Sequence, residues 1–358
     1  MALAQRFATL VKSTSASPCF KHCKWLSGTA SGYIFRKGRE FMKWILATFI
    51  ALLAVLWHIG SGGDRWSLIP DTPLESYILQ QIRLPRLVLA ACNGMALGVA
   101  GAVLQLMLRN PLAEPGITGI SGGAAVATVL ALYLGQFDPV SLGLPFIGML
   151  GGLFALLCLW VFAGRYPQGV RIILVGVALA AIFGAIIAVV LNLAPNPFAF
   201  QEWALWLMGS VANRGWPYVW LVLPAIFVSG LILWWQRRFI QVQVFDEQVV
   251  ETMGFETSRS KFMLLLAVAL LTSVSVVSAG IVGFIGLVAP HLIRLLGIRQ
   301  PLSIIAGSAL GGAVLLVAVD ALVKSLNTRV ELQLGVVIAL IGAPWLLVLL
   351  VRQRRQHA

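Results

Sequence analysis

The chain is 358 residues long, 59% hydrophobic and only 11% charged, with a mean hydropathy of +0.91; these values lie far outside the soluble globular range and imply an integral protein of the lipid bilayer. The net charge of +13, from 26 Lys and Arg against 13 Asp and Glu, raises nucleic-acid binding as a function. The basic residues nevertheless lie in short loops and at the two ends, where a membrane protein collects them on its cytoplasmic side, so no nucleic-acid partner is expected.

Residues 1–40 mix Ser, Thr, Lys and Arg without an apolar span and are expected to form a disordered cytoplasmic extension. A signal peptide is not read there, because the first apolar run begins only at Phe41. Cys19, His22 and Cys23 lack the further ligands that tetrahedral zinc demands. Cys92 and Cys158 sit inside apolar runs, where thiols behave as small hydrophobes. Neither a disulfide framework nor a metal site is expected.

From Phe41 onward, apolar runs and their breakers predict about ten helices, near 42–60, 86–108, 115–134, 145–163, 171–193, 216–236, 260–279, 281–297, 303–320 and 334–351. The fold class is therefore an all-α transmembrane domain over residues 41–352, followed by a basic cytoplasmic tail, 353–358. An even number of spans puts both termini on one side, and the basic ends place that side in the cytoplasm. The thirty-five glycines suit close helix packing in lipid.

The second and third runs are separated by RNPLAEPGITGISGGAA, Arg109 to Ala125. No helix passes through Asn110-Pro111 or Glu114-Pro115, since each proline removes a donor and restricts the residue before it. A break of this kind inside lipid is tolerated only where protein or a water-lined cavity satisfies the freed backbone groups. A second Gly-rich run with a proline break spans Gly280 to Pro290 and enters the membrane from the opposite side in this topology, as inverted-repeat halves would.

A basic minority, Arg65, Arg83, Arg86, Arg214, Lys324 and Arg329, falls on the outer face. These residues either snorkel to headgroups or form a socket for an acidic partner. Trp203, Trp206, Trp216 and Trp220 read as an interfacial aromatic belt. Between the sixth and seventh runs, VFDEQVVETMGFE carries apolar residues at Val244, Phe245, Val249, Val250 and Met253, a spacing that predicts a short amphipathic helix ended by Gly254.

Catalysis by this chain is not expected, because the spans hold almost no group able to act as acid, base or metal ligand. No lysine follows a glycine, so the phosphate cradle of an ATPase is absent. The membrane carboxylates of an ion-coupled carrier are also missing, Asp320 at a span end being the nearest candidate.

RLPR at 83–86, the glycine run from Gly94 to Gln105, RNPLAEPGITGISGGA at 109–124, GIVGFIGLVAPHLIRLLG at 280–297, Asp320 and ELQLGVVIALIGAP at 331–344 resemble the permease subunits of iron-siderophore, haem and vitamin B12 ABC importers. The resemblance covers residues from about Phe41 to Arg352. It implies a fold like that of the vitamin B12 importer permease and a homodimer around a central path. Two ATPase subunits would use ATP and Mg, with no cofactor bound by this chain. A periplasmic binding protein would dock on the outer side of the inner membrane.

The resemblance also implies site roles. Arg83, Arg86 and Lys324 match the residues that receive the binding protein, with Lys324 standing where relatives carry arginine. Reversing charge at Arg83 and Arg86 together is expected to weaken docking without unfolding. Asn110 and Leu112 match the cytoplasmic gate. Gly169 and Val170 match a second gate segment, where relatives carry hydroxyl residues. Phe245, Asp246, Glu247, Val250, Met253 and Gly254 match the coupling helix that seats in the ATPase. The expected function is import of an iron complex by alternating access. A vitamin B12 permease, or an ion-gradient-driven carrier, is the alternative.

Overall fold

A computed structural model describes residues 49–61, 72–135, 143–164, 169–326 and 331–357, with side chains described through residue 348. The expected extension at 1–40, the Cys19, His22 and Cys23 group, Arg65, Arg329 and the side chains of the tail at 353–358 lie outside these residues. Contacts divide the chain after Leu52, and residues from Leu53 onward form one compact unit.

The regular elements are α1 (Phe49–Gly60), α2 (Pro73–Met107), α3 (Ile120–Tyr133), α4 (Gly143–Ala163), α5 (Gly169–Asn192), α6 (Pro197–Leu207) and α7 (Trp216–Trp235). They continue as α8 (Arg237–Val242), α9 (Glu247–Thr252), α10 (Thr257–Ala279), α11 (Ile285–Leu295), α12 (Pro301–Ser325) and α13 (Leu334–His357). Six of them, α2, α4, α5, α7, α10 and α12, are long and apolar enough to cross a bilayer. α1, α3, α11 and part of α13 supply shorter apolar helices where the remaining spans are expected.

Several expected boundaries move. The second helix starts at Pro73, ahead of the expected 86, because the chain absorbs Pro85 in a π-turn over Leu79–Arg83 in which Leu84 N–H donates to Leu79 O, five residues back. The wider turn accommodates a residue that cannot donate its own helical bond. At the other end, α13 continues to His357 through the segment read as a tail.

α2 and α10 form the centre of the bundle. In the most apolar stretch of each, 78% of residues are buried, against 33% in α4, 22% in α5 and 28% in α7, whose outer faces carry residues such as Phe154, Leu174 and Trp234. Glycine sets the central spacing. A Cβ built on Gly94 would lie 2.2 Å from Gly312 O, one on Gly98 2.2 Å from Ser308 O, and one on Gly101 1.8 Å from Gly286 O. The backbones of α2, α12 and α11 therefore approach directly, the packing mode that small residues allow in lipid.

The break after α2 is built residue by residue. Arg109 adopts the left-handed region at φ 50°, the Asn110 side chain accepts from Leu112 N–H at 2.9 Å, Pro115–Thr118 forms a single 3-10 turn, and Gly119 at φ 76° starts α3. α3 thus begins five residues later than expected from Pro115, the 3-10 turn occupying the start.

Candidate functional site

At the end of the bundle where α2 begins its regular turns, α1, α2 and α12 meet in a charged cluster. Asp320, fully buried on α12, accepts from Arg86 Nε at 2.8 Å and Nη2 at 2.7 Å, and its Oδ2 lies 2.7 Å from His58 Nε2. Arg86 also donates to Glu331. Two-pronged pairing of this type fixes the guanidinium in direction as well as charge. The last carbonyls of α1 have no helical partner. Lys324 Nζ donates to His58 O at 2.7 Å and Arg83 Nη1 donates to Ile59 O at 2.9 Å, so two cations cap that helix at its negative end.

Arg83, Arg86 and Lys324 are therefore brought together, but in different states. The Arg86 side chain is 12% exposed and engaged by two carboxylates, whereas Arg83 and Lys324 donate to carbonyl groups and pair with no carboxylate among the described residues. Arg214, from the same basic minority, stacks on Tyr218 with its carbon 4.5 Å from the ring centre. Sequence alone did not assign His58 or Glu331. Asp320, an acid in an otherwise uncharged stretch one turn before Lys324, was the available signal.

At the other end of α2 the chain break faces α9. Gly169, at the start of α5, packs on Leu108, where an added Cβ would lie 3.2 Å from the carbonyl oxygen. Both segments matched to the gate thus adjoin the end of α2, and each presents an exposed apolar side chain, Leu112 at 41% and Val170 at 70%. A cavity of about 100 Å³ lies beside them, lined by Met107, Arg109, Gly169, Gln243, Glu247 and Lys261 among others.

The amphipathic helix expected between the sixth and seventh runs is α9. Asp246 is its N-cap residue and Gly254 closes it at φ 84°. Val249 and Met253 stand one turn apart on α9 and its C-cap, Phe245 precedes the extended N-cap residue, and each of the three is more than two-fifths exposed. Val250, grouped with them by the sequence, is instead buried at 3% and anchors the helix to the core. Ion pairs flank the first turn: Arg109 Nη1 meets Asp246 Oδ1 at 2.8 Å and Lys261 Nζ meets Glu247 Oε1 at 2.5 Å. Arg109 also donates to the Phe245 carbonyl.

The two proline-broken segments of the chain pack on each other. Glu114 Oε2 accepts from the backbone N–H of Phe284, a residue at φ 65°, at 3.1 Å, and Pro115 abuts Gly286. Burial pushes the Glu114 carboxyl above the usual range, and the Phe284 bond opposes this. Gln105 bridges the same elements, donating to Gly286 O at 3.3 Å and accepting from Arg294 at 2.5 Å. His291 lies edge-on to Trp345, ring centres 5.2 Å apart. Trp203, expected in the interfacial belt, is buried at 5% and packs edge-on to Tyr133, because α6 folds it inward. Trp220 remains 66% exposed.

Known proteins share this architecture. The chain matches the model of the FecCD transport family over residues 42–352. It is 34% identical to the iron-uptake system permease protein FeuC of Bacillus subtilis (strain 168), over 86% of this chain and 97% of that protein. It is also 34% identical to the vitamin B12 import system permease protein BtuC of Citrobacter koseri, over 88% of this chain and 96% of that protein. A solved structure described as an inward-facing conformation of a metal-chelate type ABC transporter superposes with a TM-score of 0.79 at 27% identity, covering 86% of this chain and 98% of that one. The all-helical membrane architecture agrees with that likeness. The chain belongs to the FecCD transport family, as a multi-pass permease subunit of an ABC importer whose ATP hydrolysis resides in separate subunits.

Proposed function

We propose that this permease passes an iron complex, a siderophore chelate or haem, from periplasm to cytoplasm by alternating access. In this reading two copies form a homodimer in the inner membrane with both termini in the cytoplasm. Two ATPase subunits seat on α9, and a periplasmic binding protein docks over Arg83 and Lys324, with Arg86 holding that surface in shape. Asn110, Leu112, Gly169 and Val170 shape the cytoplasmic gate. The iron-uptake relative and the metal-chelate structural neighbour support the substrate class. The vitamin B12 relative, at equal identity, supports cobalamin as the second reading.

The observation that carries the assembly is the exposed apolar patch of Phe245, Val249 and Met253 in and beside α9, a helix anchored by buried Val250 and flanked by two ion pairs. An apolar helix face presented outward in this way is a groove ligand. Val249→Glu combined with Met253→Glu is expected to lower capture of the ATPase subunits by about a hundredfold, since each apolar anchor that becomes charged removes roughly 1.5 kcal/mol or more. Both side chains are exposed, so the permease itself remains folded. Undiminished co-purification of the ATPase would refute this assignment.

A further inference from the structure

We propose that Arg109 is a positioning residue that ties α9 mechanically to the Asn110–Leu112 turn, so that displacement of α9 is delivered to the end of α2. This rests on the reading of α9 as the ATPase contact and of that turn as the gate. Arg109 stands two residues beyond the last residue of α2 and directly before Asn110. Its backbone is left-handed, which turns the chain off the helix axis. From there its guanidinium reaches across 137 positions of sequence to the Asp246 carboxylate at 2.8 Å, and it also binds the adjoining Phe245 carbonyl.

The two contacts fall on the N-cap of α9 and on Phe245 before it, at the edge of the exposed apolar patch. Lys261, at the start of α10, holds the next residue, Glu247. The first turn of α9 is thereby fastened to both central helices. No flexible linker intervenes between Arg109 and Asn110, and the bond from Leu112 N–H to the Asn110 side chain stiffens the turn itself. Gly169 packs on Leu108 from the second gate segment, so motion at this point reaches both. With Arg109 45% and Asp246 86% exposed, the pair contributes little to stability, and removing it reads out positioning and not unfolding.

The test uses the assembled permease and ATPase complex in lipid nanodiscs, with the chain's four cysteines replaced by alanine and Leu112→Cys as the reporter. The rate of maleimide labelling is measured with and without Mg-ATP and vanadate, per mole of co-purified ATPase. In the parent, nucleotide changes the rate. Arg109→Asp, which suits a left-handed backbone, and Asp246→Arg are each expected to shrink that change about tenfold, and the double exchange to restore at least about half of it, as a direct pairwise coupling requires. A parent that responds alongside an equally responsive Arg109→Asp variant overturns the tie alone. Lost response without restoration in the double exchange also overturns it, since Arg109 would then act through local folding. A parent without any nucleotide response removes the functional reading and the tie with it.

Discussion

Replacing Asp320 by alanine is expected to lower the stability of the permease by about 3–5 kcal/mol, because breaking one side of a buried ion pair leaves the other uncompensated. Asp320 is fully buried, and its two oxygens hold Arg86 at 2.8 Å and 2.7 Å and His58 at 2.7 Å. Without it, Arg86 keeps only the partly exposed Glu331 among the described residues, and the His58 ring loses that acceptor. In detergent this should appear as a fall of about 5 °C in melting temperature, since an unfolding entropy of roughly 2 cal/mol/K per residue gives a chain of this length a little over 1 °C per kcal/mol. Arg83→Ala removes one of the two cationic caps described on α1 and should cost about 1 kcal/mol. A melting temperature for Asp320→Ala within two degrees or so of the parent would contradict the structural role.

The same geometry corrects an expectation drawn from sequence. Reversing Arg86 sets a carboxylate against Asp320 and Glu331, so paired reversal at Arg83 and Arg86 is expected to damage the fold as well as docking. Docking is better probed at Arg83 and Lys324, whose charges are not neutralised by a carboxylate among the described residues.

The second large effect is steric. Gly101→Ala places a methyl group where Gly286 backbone atoms already lie, at 1.8 Å from the oxygen and 2.4 Å from Cα. Overpacking a core typically costs 1–3 kcal/mol when side chains can yield. Here the obstruction is main chain on a neighbouring helix, so the loss is expected at or beyond about 3 kcal/mol, with little monodisperse protein on size exclusion. Gly184→Ala is the control: nothing lies within 4 Å of the added carbon, and helix propensity favours alanine by about 1 kcal/mol. Equal yield and melting temperature for both variants would show that α2 and α11 can separate without cost.

What was legible in the sequence depended on locality. The break at Arg109 to Gly119 was readable because proline geometry is local, and α9 because an apolar period is local. The π-turn before Pro85 was hidden, since a proline between Leu84 and Arg86 at the head of an apolar run looks like a helix start. α6 was missed although Asn196 and Pro197 give an N-cap and a first-turn proline, with Ala199 N–H donating to Asn196 at 2.8 Å. The outer cluster was visible only as a list of cations. Arg86 and Asp320 are 234 positions apart, and no periodicity links them. Hydropathy could not rank the helices either: α2 and α5 both read as spans, yet one is central and the other largely faces outward, because lipid and protein interior are equally apolar surroundings.

That this chain is a path driven from outside by ATPase subunits can be decided by uptake into proteoliposomes containing the permease and its ATPase. The binding protein is supplied loaded in turn with ferric hydroxamate, haem or cobalamin. Uptake of one of them is expected to require internal Mg-ATP and to persist when ionophores collapse the proton and sodium gradients. Uptake by the permease without its ATPase, or loss of uptake on gradient collapse while ATP remains, would contradict an externally driven path.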